Sequence, residues 1–179
     1  MMALAEMVEQ KMIKYPPAIR KALASELAGV LKGQAADNAG MSVDAFIAAA
    51  LENRKIKQKP LPLAAIPPEF YVLADAIDRV GTAGKQLALD HDYTLHILDV
   101  HGGVRETLRG QSPIVADDMK YLADHLGLVV SVDAGDPPLS KNGAPRIVAR
   151  VTGEAWIYDA VFEVRKQLVV PHTLWKRKK

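Results

Sequence analysis

The sequence predicts an α+β chain: an N-terminal helical unit, a further helical segment, and a small C-terminal antiparallel β-containing part. Three observations predict it. Between residues 25 and 51, two helix starts flank a one-glycine break at Gly40. Residues 60–68 carry four prolines and no charge, which reads as a stiff linker. Beyond Gly127 the apolar spacing changes from helical to strand-like. The expected boundaries are therefore 1–59, a linker at 60–68, a mainly helical region at 69–126, and a small β-rich region with a basic tail at 127–179.

Residues 1–14 space Met1, Leu4, Met7, Val8 and Met12 for one helical face, and Tyr15-Pro16-Pro17 ends that run. Ser25 then caps a helix carrying Leu27, Val30 and Leu31, with Gly40 suited to a left-handed stop. Ser42 caps the next, with Phe46, Ile47 and Leu51 among its apolar residues. Two short helices bury too little alone, so a second copy of the pair is the simplest third layer. That predicts a homodimer core of Leu27, Val30, Leu31, Phe46, Ile47 and Leu51. Arg54, Lys55, Lys57 and Lys59 follow, as a phosphate clamp or as a solvated helix end that complements the macrodipole.

Pro67-Pro68-Glu69 opens a helix with a stripe of Phe70, Leu73, Ile77, Val80 and Leu87. Gly81-Thr82-Ala83-Gly84-Lys85 is too short and wrongly spaced for a phosphate-binding loop. His91, His96 and His101, with Asp92 and Asp99, form the histidine-rich stretch. A metal there would need distant help from Asp117, Asp118 or His125, so a scattered polar surface explains it better. Residues 117–126 read as helix, with Gly127 as the stop. Strands are expected at 128–132, at 146–151 and from 155, with an exposed loop at 133–145 that holds Asn142-Gly143. Arg146 and Arg150 share a strand face and, with Lys141, form either a basic edge or a solvated one. The tail Lys176-Arg177-Lys178-Lys179 either tracks phosphates or solubilises the terminus.

The chain has 179 residues, 49% apolar composition and a net charge of +2, so any nucleic-acid affinity must come from clustered rather than average charge. It has no cysteine, which excludes disulfides, thiolate catalysis and cysteine-ligated metal. No apolar run is long enough to span a membrane, and Glu6 and Glu9 stand where a signal peptide would be basic and then apolar. No membrane association and a cytoplasmic setting are expected, with no cofactor, no metal and no catalytic residue.

The run Gly40-Met41-Ser42-Val43-Asp44-Ala45-Phe46-Ile47, continued to Leu51 after a short amphipathic helix, resembles the second half of a ribbon-helix-helix DNA-binding unit. More narrowly, it is similar to MobC-type accessory proteins of plasmid mobilisation relaxosomes. The likeness covers residues 18–54 and, loosely, 66–90. It implies that residues 1–59 form a DNA-binding and dimerisation unit whose ribbon lies at 18–24. It also implies a relaxase or other protein partner at a transfer origin on double-stranded DNA. On a ribbon, Arg20 would address a base edge and Lys21 a phosphate or base. Residues 18–24 prefer helix, however, and one long helix from Pro17 to Asn38 stays open. The nucleic-acid-binding residues expected are Arg20, Lys21, Arg54, Lys55, Lys57, Lys59, Lys176, Arg177, Lys178 and Lys179. Two other functions remain: a protein-interaction or structural adaptor, and a small enzyme using the His91–His101 region.

Overall fold

The computed structural model describes residues 40–102 and 111–179. Arg20, Lys21, Leu27, Val30, Leu31, the ribbon at 18–24, and the helices expected before Gly40 lie outside the described residues. Four helices and one six-stranded sheet make up the described part.

Helix α1 (Val43–Glu52) starts as its sequence dictates. Gly40 takes φ +86°, and the Ser42 hydroxyl oxygen accepts from the Ala45 amide at 3.1 Å. Phe46, Ile47 and Ala50 are buried, whereas Leu51, expected in a dimer core, is 44% exposed. Phe46 is fully buried by its own chain, so its burial needs no second copy.

Residues 60–68 are not a linker. Strand β1 (Leu61–Ala65) pairs antiparallel with β2 (Gln86–Leu89), and buried Leu61 and Ile66 belong to the main core. Helix α2 (Pro68–Ala74) begins with a proline at its first turn and buries Phe70, which meets Phe162 edge-on at 5.5 Å. The expected stripe stops there, and Leu87 belongs to β2 instead. Asp75 ends the helix by turning its carboxylate onto the loop ahead. It accepts from the Thr82 amide at 2.6 Å, the Thr82 hydroxyl at 2.7 Å and the Ala83 amide at 3.2 Å. Burial pushes this carboxyl up, but those three donors hold it below its ordinary range.

Helix α3 (His91–His101) is capped by Asp90, and helix α4 (Ala116–Asp124) by Asp118 through the Val115 amide at 2.8 Å. A single 3₁₀ turn (Leu126–Leu128) passes through Gly127 into β3 (Val129–Leu139). Strands β4 (Pro145–Thr152), β5 (Trp156–Val164) and β6 (Leu168–Lys178) follow as an antiparallel meander. The sheet order is β1-β2-β6-β5-β4-β3, with β2 parallel to β6. The exposed loop expected at 133–145 shrinks to a tight Ser140–Ala144 turn, because β3 runs on through Pro137 and Pro138. The two strands formed where a linker and a loop were expected, β1 and β3, are the sheet edges, where a proline's missing donor need cost no ladder bond.

The β4–β5 register sorts the two faces. Ile147, Ala149 and Val151 pair with Phe162, Ala160 and Tyr158, all buried. On the other face Arg146 lies opposite Glu163, and Arg150 opposite Asp159, the second pair joined at 2.7 Å.

The basic tail is a strand, not a loose terminus. The Lys176 ammonium is buried, donating to both Asp118 oxygens at 2.8 and 2.7 Å and lying 4.8 Å from the Trp156 ring centroid. The Tyr158 hydroxyl donates to the same carboxylate at 2.9 Å, which fastens α4 to the sheet. Removing one member strands a buried charge, so Lys176→Ala should cost about 3–5 kcal/mol in chemical denaturation. Lys178→Ala, on an exposed side chain, should stay within about 0.5 kcal/mol. Equal effects from the two variants would refute the structural role.

Candidate functional site

The cations expected to grip phosphate are partly committed elsewhere. Arg54 makes a two-point pair with Asp99 at 2.8 and 2.9 Å, and Lys57 pairs with Asp92. The basic run after α1 thus docks on the acidic side of α3. Lys55, Lys59, Arg177 and Lys178 are exposed, and Lys179 donates to the Gly153 carbonyl at 3.3 Å.

The histidines separate in role. His91 is buried, its Nε2 3.1 Å from the Arg54 carbonyl, to which it must donate. Asp117 pairs with Lys120, Asp118 with Lys176, and His125 stacks on Tyr121 at 3.8 Å. Among the described residues no three such side chains converge as a metal would require. His96 and His101 do converge, on each other at 6.2 Å and on the β6 residues His172 and Trp175. His172, not singled out from sequence, is the centre of this cluster. Its ring lies 5.6 Å from His96 and 4.5 Å, edge-on, from Tyr93.

The geometry around His172 follows from one carboxylate. Glu163, buried on β5, accepts from the Tyr93 hydroxyl at 2.7 Å and from Arg165 Nε at 2.7 Å. Arg165 in turn donates to Asp90, the α3 cap, at 2.8 Å and lies over the Tyr93 ring. Burial pushes the Glu163 carboxyl up, yet these donors, with the Ser140 hydroxyl, hold it below its ordinary range. It is therefore an anion, and each of its oxygens already accepts from a donor other than Arg146.

Arg146 is left without it. The two residues are register partners across β4 and β5, but among the described residues Arg146 pairs with no carboxylate. One terminal nitrogen stands 3.1 Å from His172 Nε2, and its buried Nε has no hydrogen-bond partner. The β3 backbone comes close to Arg146 at Gly135, where an added Cβ would lie within 2.7 Å of the Arg146 Cβ. A guanidinium only donates, so His172 Nε2 carries a lone pair and Nδ1–H faces the Thr173 hydroxyl at 2.9 Å. Burial first, then Arg146 and His96, push the His172 imidazole below its ordinary range against the opposing pull of Glu163. His172 is a neutral base.

These side chains line a cleft of about 300 Å³ closed on one side by the β3–β4 turn at Ser140, Lys141 and Asn142. No family model, curated protein or solved structure matches the chain. The chemistry of the cleft must speak for itself: a cation lacking its anion, a neutral base beside it, and a second imidazole within reach. The spacing of Arg146 on the outward face of β4 was legible in the sequence. The signal for His172 was not, because it depends on β6 lying between β2 and β5.

Removing Arg146 takes away one cause of the His172 depression and leaves burial. In Arg146→Gln, proton NMR should show His172 titrating at higher pH than in the parent, though still below an exposed histidine. An unchanged midpoint would mean that the 3.1 Å contact does not operate in solution. The sign for stability follows. The unfolded chain protonates this histidine first, so its contribution is full above the ordinary imidazole range and is lost as pH falls toward the folded value.

Proposed function

We propose that the protein cleaves RNA at the Arg146–His172 cleft by strand-internal phosphoryl transfer. The observation that carries this is Arg146 itself, partly buried, facing a cleft and paired with no carboxylate, while Glu163 opposite it is spoken for. An uncompensated guanidinium offers planar two-point donation to a phosphate or a carboxylate alike, and the neutral imidazole beside it, able to take a hydroxyl proton, favours a phosphodiester.

The steps need only groups on this chain and the substrate. A non-bridging phosphate oxygen engages Arg146 and draws the guanidinium from His172 Nε2. The freed lone pair accepts the proton of the ribose 2′-hydroxyl, whose oxygen attacks phosphorus. The bond from phosphorus to the 5′-oxygen breaks, and exposed His96, 5.6 Å from His172, gives that oxygen a proton. Products are a 2′,3′-cyclic phosphate and a 5′-hydroxyl, and the two imidazoles reset by proton exchange with water. The nucleophile comes from the substrate, which is why RNA rather than DNA is the expected strand.

A labelled single-stranded RNA and the DNA of the same sequence, incubated with the full chain, test this. RNA should be cut to cyclic-phosphate ends, and DNA should not. His172→Ala should lower the rate about 10²–10⁴-fold and Arg146→Gln about 10²–10³-fold. The rate should also fall on the acid side as His172 protonates. Intact RNA after prolonged incubation, or equal cutting of DNA, would overturn the proposal.

A second reading has its own support: exposed Lys55, Arg177 and Lys178, and the Ser42-capped helix of the run that resembles a ribbon-helix-helix unit. On it the protein is a homodimeric DNA-binding accessory that assists a relaxase. Tight, steeply salt-dependent binding of duplex DNA without strand cleavage in the same incubation would favour it.

A further inference from the structure

A row of rings leads away from the Arg146–His172 cleft where α3 lies on β6. His172 meets His96 at 5.6 Å, His96 meets His101 at 6.2 Å, and His101 meets Trp175 at 6.1 Å and 37°. His96 and His101 come from α3, and Trp175 stands three residues beyond His172 on β6. The row keeps to one face of the sheet. Trp175 registers with Asp159 and Arg177 with Ile157, on the face where Arg150 pairs with Asp159 and Arg146 lies opposite Glu163. Trp175 is half-buried yet is no part of the hydrophobic core, which takes Leu174 on the other face. An indole left half in solvent, joined to a reactive cleft by unbroken ring contacts, offers a flat apolar surface to whatever enters that cleft.

Resting on the cleavage proposed above, we infer that Trp175 is the stacking platform for the base of the leaving nucleoside, the one whose 5′-oxygen is released. The mechanism fixes this polarity. His172 faces the 2′-hydroxyl of the upstream nucleotide, and His96 gives its proton to the 5′-oxygen of the downstream one. The downstream nucleoside therefore begins at His96, and from His96 the row leads on to His101 and Trp175. Every base has a π-face, so an indole accepts any of them, and the subsite reads the presence of a base rather than its identity. In a duplex those faces are already stacked, so the strand that fits is single. Arg177, exposed and two residues along the same strand face, is placed for the next phosphate.

Cleavage by the full chain of two short RNAs, one with a base and one with an abasic ribose just downstream of the scissile phosphate, tests the assignment. Losing that base should lower kcat/KM about tenfold in the parent protein. Trp175→Leu should bring the intact strand down to the abasic level and cut the abasic strand at the parent rate, which a merely misfolded variant would not do. Arg177→Gln should weaken binding only of strands that carry one further downstream phosphate. A downstream base that makes no difference in the parent, or a preference that survives Trp175→Leu, would overturn the platform while cleavage stands. If no RNA is cut, the same strands with a 2′-deoxy sugar at the scissile position decide by binding. Tighter binding of the strand with the base, lost in Trp175→Leu, would uphold the platform without the cleavage, and equal binding would remove both. Indole fluorescence quenched by the strand carrying the base and not by the abasic one reports the same contact without any variant, and quenching by neither counts against it.

Discussion

Glu163 is the constraint on which the rest of the described structure turns. A carboxylate buried on β5 must find donors or lose the ionised form, and it finds them off its own strand pair. Tyr93 brings α3 to the sheet, Arg165 links the same carboxylate to the Asp90 cap of that helix, and Ser140 brings in the β3–β4 turn. Three segments far apart in sequence are tied at one anion. The consequence for chemistry is indirect. With Glu163 engaged elsewhere, Arg146 across the ladder faces a cleft and a histidine instead of a counter-ion. A site of this kind combines a rigid, fully compensated base with one uncompensated charge, and that separation keeps a reactive group in place.

Much of the fold was legible, and the failures share causes. Ser42 as a cap, the helix at 117–126 and the strand at 146–151 rest on local chemistry: a hydroxyl before an apolar run, a glycine after one, alternation between them. The prolines of 60–68 read as a linker and the Asn142-Gly143 turn signal extends to a loop over 133–145, yet proline is barred from a strand only where its nitrogen should donate, and β1 and β3 are the two edges. Whether a strand lies at an edge depends on the order of the whole sheet, which no local window contains. The stripe from Phe70 to Leu87 failed because Asp75 satisfies the amides of the next loop and so ends the helix.

Charge was the least legible property. Counting basic residues cannot separate a cation facing solvent from one consumed by a carboxylate forty residues away. Arg54, Lys57 and Lys176 look alike in sequence to Lys55 and Lys178, yet the first three are paired. The converse held for Arg146, which reads in sequence as part of either a basic edge or a solvated strand face. Its distinction is a missing partner, and an absence of that kind is visible only once Glu163, Arg165 and Tyr93 have found each other.

The position of His172 has a local cause that follows from Pro171. In the β5–β6 ladder Phe162 registers with Pro171 and Val161 with Thr173, so His172 is an extra residue with no partner across the strand. A bulge of this sort breaks the strict alternation of side chains and re-aims the one it frees. Proline, with no amide hydrogen to donate, is well tolerated where the ladder is already irregular. Regular pairing would give His172 a fixed face and a partner on β5. The irregularity frees its ring to meet Tyr93 and His96 of α3 on one side and the Arg146 guanidinium on the other. The sequence Val170-Pro171-His172-Thr173 thus encodes both the interruption and the base placed in it, while the Arg146 guanidinium, which only donates, sets the tautomer and leaves Nδ1–H to the Thr173 hydroxyl.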